Sequence, residues 1–308
     1  MIAPSEQKSP PGRLELSEKP RRLVAVSLLP ALMTLGNLTC GFLAIFCCLL
    51  AMRAEYSQVY AVQPRVFHPR LEQLFPTHIA AGAYLIVLAM IFDALDGRLA
   101  RMTRRTSEFG AQLDSLSDIV SFGIAPMALY VTMLLRPIVG GPPDEPDASR
   151  LQFRVGLVCS LAYISCAAIR LARYNAENVR AEIAQRAFQG LPSPGAAAAV
   201  VALLALHEHL RSIQFNGIGV DWASLSRWVI ALTALAVGLL MISRLDYIHV
   251  FNVYFQRRRS PAHLVFLVII VGLAWRWFEL LLVALAFAYV LSGIVRYLLR
   301  GRHEPEPG

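Results

Sequence analysis

The chain alternates between long apolar runs and short polar breaks. Val24 to Met52 contains no charged residue, and about 20 such residues cross a bilayer as a helix. Runs of the same kind recur to the C-terminus. They predict helical spans at approximately 26–52, 79–101, 111–135, 153–174, 191–209, 226–244, 262–277 and 279–299. Arg276 and Glu279 interrupt the last long run, and Trp275 and Trp277 suit a membrane–water interface. The last two spans therefore read as a tight helical hairpin, with one long, bent helix as the alternative. The pattern is that of an all-α fold, a polytopic integral membrane helical bundle of about eight transmembrane helices. Residues 1–20 are polar and Pro-rich, without the apolar core and cleavage site of a signal peptide. A cytoplasmic tail is expected over residues 1–22, and a second over 301–308. Residues 136–152, rich in Pro, Gly and Asp, read as a linker between spans.

Composition sharpens this. Hydrophobic residues make up 56% of the chain and charged residues 16%, against about 25% charged in ordinary soluble domains. Too little polar surface exists to cover soluble domains of this length, and too much apolar surface exists for a disordered chain. The net charge of +8 comes from 29 basic residues, of which only Lys8 and Lys19 are lysines. Nucleic acid is not the partner this implies, because membrane topology accounts for most of the bias. With both termini inside, segments 1–24, 98–105, 170–186, 244–259 and 296–302 face the cytoplasm and hold 20 of the 29. The positive-inside rule then favours an even number of spans in a cell (inner) membrane. The five cysteines lie in apolar stretches without metal-ligand spacing and read as small core residues. The seven histidines are scattered, and no zinc site is expected.

The polar exceptions inside the spans point to chemistry. The block Phe92 to Asp118, FDALDGRLARMTRRTSEFGAQLDSLSD, holds Asp93, Asp96, Asp114 and Asp118. Asp93 and Asp96 are three apart and share a helix face, which Gly97, Ala100 and Arg101 continue. Asp114 and Asp118 are four apart on a second face, with Gly110 one turn earlier. A turn between Thr103 and Phe109, with Thr106 or Ser107 as N-cap, would bring the two acidic faces together. Converging carboxylates would repel one another unless cations compensate them. Hard oxygen ligands suit a two-metal site of Mg²⁺ or Mn²⁺. Such a pair commonly binds a pyrophosphate, and the small residues leave room for it close to the backbone. The acids flank uncharged stretches of 14 residues before Asp93 and 17 after Asp118. They therefore sit near the cytoplasmic surface, where soluble substrates have access. An ion-coupled transporter would instead place them near mid-bilayer.

The pattern Asp93-x2-Asp96-Gly97-x2-Ala100-Arg101-x8-Gly110-x3-Asp114-x3-Asp118 resembles the signature of the CDP-alcohol phosphotransferases at all eight fixed positions. The resemblance implies a membrane domain over residues 23–245 with a six-helix core, additional C-terminal helices over 246–300, and a homodimer. It also implies an enzyme that displaces CMP from a CDP-linked substrate. Asp93, Asp96, Asp114 and Asp118 would be metal ligands, Asp118 also the general base. Gly97, Ala100, Arg101 and Gly110 would line the cytidine diphosphate pocket.

Three further stretches resemble the serine-accepting members of the family: LLPALMTLGNLTCGFLAI at Leu28–Ile45, SEFGAQLDSLSDIVSFGIAP at Ser107–Pro126, and IRLARYN at Ile169–Asn175 followed by QGLPSPGAA. In the first, Ala31 stands where members often carry Asn, and Thr34 and Asn37 remain as polar contacts to the nucleotide. The substrates implied are CDP-diacylglycerol from the lipid bilayer and L-serine, giving phosphatidylserine. Ile119 follows the last Asp where relatives that use glycerol phosphate often have Lys, which fits a non-phosphorylated acceptor. Arg170 and Arg173, three apart, can bind serine's carboxylate or the lipid phosphate. Ser243 and Arg244 form a second candidate pair for that role. Arg104 and Arg105 read as contacts to anionic headgroups. Glycerol phosphate, choline and inositol are the competing acceptors.

Overall fold

A computed structural model of the chain describes residues 22–59, 77–103, 108–140, 147–178, 190–212, 221–243, 245, 247 and 278–300. Its elements are helices: α1 (Arg22–Val59), α2 (His78–Thr103), α3 (Glu108–Asp118), a π-helical turn (Ile119–Ile124), α4 (Ala125–Gly140), α5 (Asp147–Asn178), α6 (Ser193–Ser212), α7 (Trp222–Ile242) and α8 (Phe278–Arg300). α3, the π turn and α4 run on as one rod. Among the described residues, seven rods are long and apolar enough to cross a membrane. The protein is an all-α, multi-pass membrane bundle.

Each of these seven rods matches a span expected from the sequence. The remaining expected span, 262–277, and with it the proposed hairpin, lies outside the described residues. One expectation is corrected: residues 136–152 are not simply a linker, because α4 runs to Gly140 and α5 starts at Asp147. Hydropathy registers only the stretch in hydrocarbon, whereas backbone hydrogen bonding carries the helices further.

The core lies around α6, whose Ala196, Ala197, Ala199, Val200, Val201 and Ala202 are all fully buried. Small side chains on every face let neighbours approach from all sides, as in helices enclosed by others. α1 packs along α2 and α4, α5 along α7, and α8 against α6. α8 is peripheral: 17% of its apolar window is buried, against 61% for α6.

Local chemistry marks the helix ends. Asp221 caps α7 by accepting from the Ala223 and Ser224 amides at 3.1 and 3.2 Å. Pro194 follows Ser193 in the first turn of α6, where no amide donor is needed. Just before it, Gly190 adopts φ +94°, a conformation glycine takes without strain. Its amide donates to the Leu245 carbonyl (2.8 Å) and the Leu191 amide to that of Leu240 (3.1 Å), which docks the entry of α6 on the end of α7.

The π turn has a cause in the sequence. Pro126 has no amide hydrogen, and its ring crowds the carbonyl four residues back, that of Phe122. The helix widens there, and the Ala125 amide reaches the Val120 carbonyl instead.

At the end of the bundle far from the aspartates lies a second polar layer. Arg136 Nη1 donates to both carboxylate oxygens of Glu208, at 2.8 and 3.1 Å. His207 shares a 2.6 Å hydrogen bond with Ser226, and Tyr84 donates to Glu279 at 2.8 Å. All five cysteines are buried and free, as their apolar setting predicts.

Candidate active site

Asp93 and Asp96 project from the second half of α2, and Asp114 and Asp118 from α3. One carboxylate oxygen each from Asp93, Asp114 and Asp118 lies within 4.8 Å of the others. Asp96 stands beside this trio and is close enough for its charge to act on Asp114 and Asp118. α3 begins at Glu108. Residues 104–107, with Arg104, Arg105 and the expected turn and its N-cap, Thr106 or Ser107, lie outside the described residues.

α1 is stitched to both acidic helices by hydroxyls and an amide. The Thr34 hydroxyl lies 3.0 Å from Asp96 Oδ2 and 3.1 Å from its own helix carbonyl at Pro30. A carboxylate is the stronger acceptor of the two. Asn37 Nδ2 donates to Asp118 Oδ1 at 3.2 Å. In the other direction, Ser117 donates to the Thr34 carbonyl (3.1 Å) and Ser121 to that of Asn37 (3.0 Å). This requires close approach: a Cβ on Gly41 would sit 2.3 Å from Ser121 Oγ and 2.9 Å from its Cα. Thr34 and Asn37 thus turn their side chains toward the carboxylates.

Arg170 on α5 is the guanidinium whose charge acts on Asp93 and Asp118. Its Nη1 donates to the Ser193 hydroxyl at the start of α6, and its Nε is buried without a partner. Arg173 is turned elsewhere and donates to the Ile242 carbonyl at the end of α7 (3.0 Å). The Ser243 hydroxyl donates to the Leu240 carbonyl (2.7 Å). Arg244 and the side chains of Ala100 and Arg101 lie outside the described part of the structure. Gly97 faces open space, with nothing within 4 Å of where its Cβ would be. Gly110 is half-buried one turn before Asp114.

The trio fits a divalent cation. Its donors are hard carboxylate oxygens, and Asp114 Oδ1 is buried without a hydrogen-bond partner. Arg170 alone cannot balance four carboxylates, and part of its guanidinium is committed to Ser193.

Sequence reasoning had not singled out Ser193, Ser115 or the hydroxyls of Ser117 and Ser121. Asn175, which exchanges hydrogen bonds of 3.0 and 3.1 Å with Ser115, and Ser193 lie inside the IRLARYN and QGLPSPGAA stretches. That was the available signal for two of them. Ser115, Ser117 and Ser121 lie inside the SEFGAQLDSLSDIVSFGIAP stretch, but nothing local shows that Ser117 and Ser121 bond to backbone carbonyls of a distant helix.

Comparison with known proteins places this site in context. The sequence profile of the CDP-alcohol phosphatidyltransferase family matches residues 27–242. A relative in Mycobacterium leprae, named CDP-diacylglycerol–serine O-phosphatidyltransferase, is 36% identical over 169 residues, 54% of this chain and 48% of that protein. The chain thus spans about half the length of that relative. Proteins of the same name in Helicobacter pylori (strain 26695) and Bacillus subtilis are 30% identical over 217 residues and 26% identical over 224. These alignments take in 70% and 73% of this chain, and 79% and 92% of the relatives. With all four signature aspartates inside the matched region and its carboxylates gathered between α2 and α3, the chain belongs to the CDP-alcohol phosphatidyltransferase family.

Proposed function

We propose that the protein transfers the phosphatidyl group of CDP-diacylglycerol to the hydroxyl of L-serine, giving phosphatidylserine and CMP. The observation that carries this reading is the trio Asp93, Asp114 and Asp118 within 4.8 Å, in a chain similar to relatives that bear that activity in their names. The ligands of a two-metal Mg²⁺ or Mn²⁺ site are Asp93, Asp96, Asp114 and Asp118. Bound there, divalent cations neutralise the carboxylates and offset charge on the pyrophosphate.

The protein's own residues supply the rest. The open face at Gly97, with Ala100, Arg101 and Gly110, receives the cytidine diphosphate. Asp118, held by Asn37, takes the proton of the serine hydroxyl as that oxygen attacks the β-phosphorus. The bond to the CMP oxygen breaks in the same displacement. A carboxylate is a weak base for an alcohol, so proton loss accompanies attack rather than preceding it. Arg170, with its free Nε, suits serine's carboxylate or the lipid phosphate, and Ser193 orients it. The hydrogen bonds of Arg173 and Ser243 suit them to holding the end of α7 in place. The site opens to the cytoplasmic side of the cell (inner) membrane, and the protein acts as a homodimer.

The test is CMP release from CDP-diacylglycerol by the purified protein, with and without serine and with and without Mg²⁺ or Mn²⁺. Release that depends on both is expected, and Asp118→Asn should abolish it in a protein that still inserts and folds. Release with glycerol phosphate, choline or inositol but not serine would transfer the reading to that acceptor. Full turnover by Asp118→Asn would remove the base.

A further inference from the structure

We propose that Tyr163 is a positioning residue for Asp118: its hydroxyl replaces the amide hydrogen that Pro126 lacks, and so holds the π turn that aims the Asp118 side chain. The proposal rests on the reading of Asp118 as base and metal ligand given above.

Asp118 is the residue immediately before the π turn. In a continuous α-helix the amide of residue 126 would serve the Phe122 carbonyl. Pro126 cannot, and Phe122 is fully buried, so water cannot serve that carbonyl either. A buried carbonyl without a partner is costly. The partner comes from another helix: Tyr163 on α5, itself fully buried, donates its hydroxyl to the Phe122 oxygen at 2.8 Å. The same turn is held from α1 by the bond from Ser121 to the Asn37 carbonyl, and Asn37 also binds Asp118.

The turn has geometric work to do. One extra residue in a helix rotates the segment before it by about 100° relative to the segment after it. α3 can therefore present Asp114 and Asp118 to the site, while α4 independently buries Met127, Leu129, Tyr130, Met133 and Leu134 in the core. If the turn relaxed, the offset would change and Asp118 would swing relative to Asp93. Tyr163 lies two turns from Arg170 along α5, about 10 Å. It acts on the site through the turn and not by touching substrate.

The experiment uses the full chain in lipid nanodiscs, with Tyr163→Phe alone, Pro126→Ala alone and the two combined. The readouts are thermal midpoint, kcat and KM for CMP release, and Mn²⁺ affinity by electron paramagnetic resonance. Tyr163→Phe keeps the ring and removes only the hydroxyl. It should fold, lose about tenfold to a hundredfold in kcat, keep both KM values, and bind Mn²⁺ about tenfold more weakly. In the Pro126→Ala background an amide is restored for the Phe122 carbonyl, so removing the hydroxyl should cost less than it does in the wild type.

Wild-type kcat and Mn²⁺ affinity in Tyr163→Phe would overturn the proposal. So would a change in KM alone, or equal losses in both backgrounds. If the wild type binds Mn²⁺ but releases no CMP, the functional reading has failed, and the Mn²⁺ affinities decide the positioning role by themselves. If the wild type binds no Mn²⁺, the role of Asp118 as ligand falls, and this proposal with it.

Discussion

Asp118 is 9% exposed and takes a hydrogen bond from Asn37, which is fully buried. A buried carboxylate deprived of a donor loses about 1–3 kcal/mol. Asn37→Ala should lower the thermal midpoint accordingly and reduce kcat for CMP release about tenfold, as expected for a residue that orients a reacting group. A protein with unchanged kcat would show that Asp118 needs no support from α1. The spacing of the aspartates was legible in the sequence because helix geometry turns offsets of three and four into shared faces. The orientation of Thr34 and Asn37 was not. Their partners Asp96 and Asp118 lie 62 and 81 residues away, and no local rule pairs them.

Two glycines separate packing from binding at the level of helices. Gly41 is where α1 meets the π turn. A methyl group there would overlap Ser121, including its backbone, and overpacking of this kind costs about 1–3 kcal/mol. Gly41→Ala should therefore lower the thermal midpoint and, by pushing α1 away, loosen the bonds to Asp96 and Asp118. A Cβ on Gly97 would meet nothing within 4 Å beyond its own helix. Gly97→Ala should keep the wild-type midpoint, while raising KM for CDP-diacylglycerol if the open face receives the nucleotide. Paired melting and kinetic measurements on the two variants check both statements. The existence of each described helix could be anticipated from hydropathy, but the break between α3 and α4 could not. Pro126 is visible in the sequence, yet a proline within an apolar run is read equally well as a kink; that the Phe122 carbonyl it leaves unserved meets the Tyr163 hydroxyl of α5 is visible only in the structure.

At the scale of the whole molecule, the described residues of the bundle show two polar layers. One carries the carboxylates. The other, around Arg136 and Glu208, ties α4 to α6 at the opposite end. Breaking a buried pair by removing one partner costs about 3–5 kcal/mol, whereas replacing both by apolar residues can be nearly neutral. Arg136→Met should destabilise the protein strongly, and Arg136→Met combined with Glu208→Leu should recover most of the loss in thermal unfolding. A double variant no more stable than the single one would show that the pair does more than fill this layer. The sequence by itself determined the membrane class, seven of the expected spans and the family signature. Each of these rests on local quantities: apolar length against bilayer thickness, and residue spacing against helical periodicity. Only the tertiary structure decided which three carboxylates meet, that Arg170 faces them while Arg173 is bonded to the end of α7, and that α1 and α5 brace the turn beside Asp118. Those outcomes depend on how separate helices rotate and close on one another, which is set by packing across the whole bundle and not by any single stretch of chain.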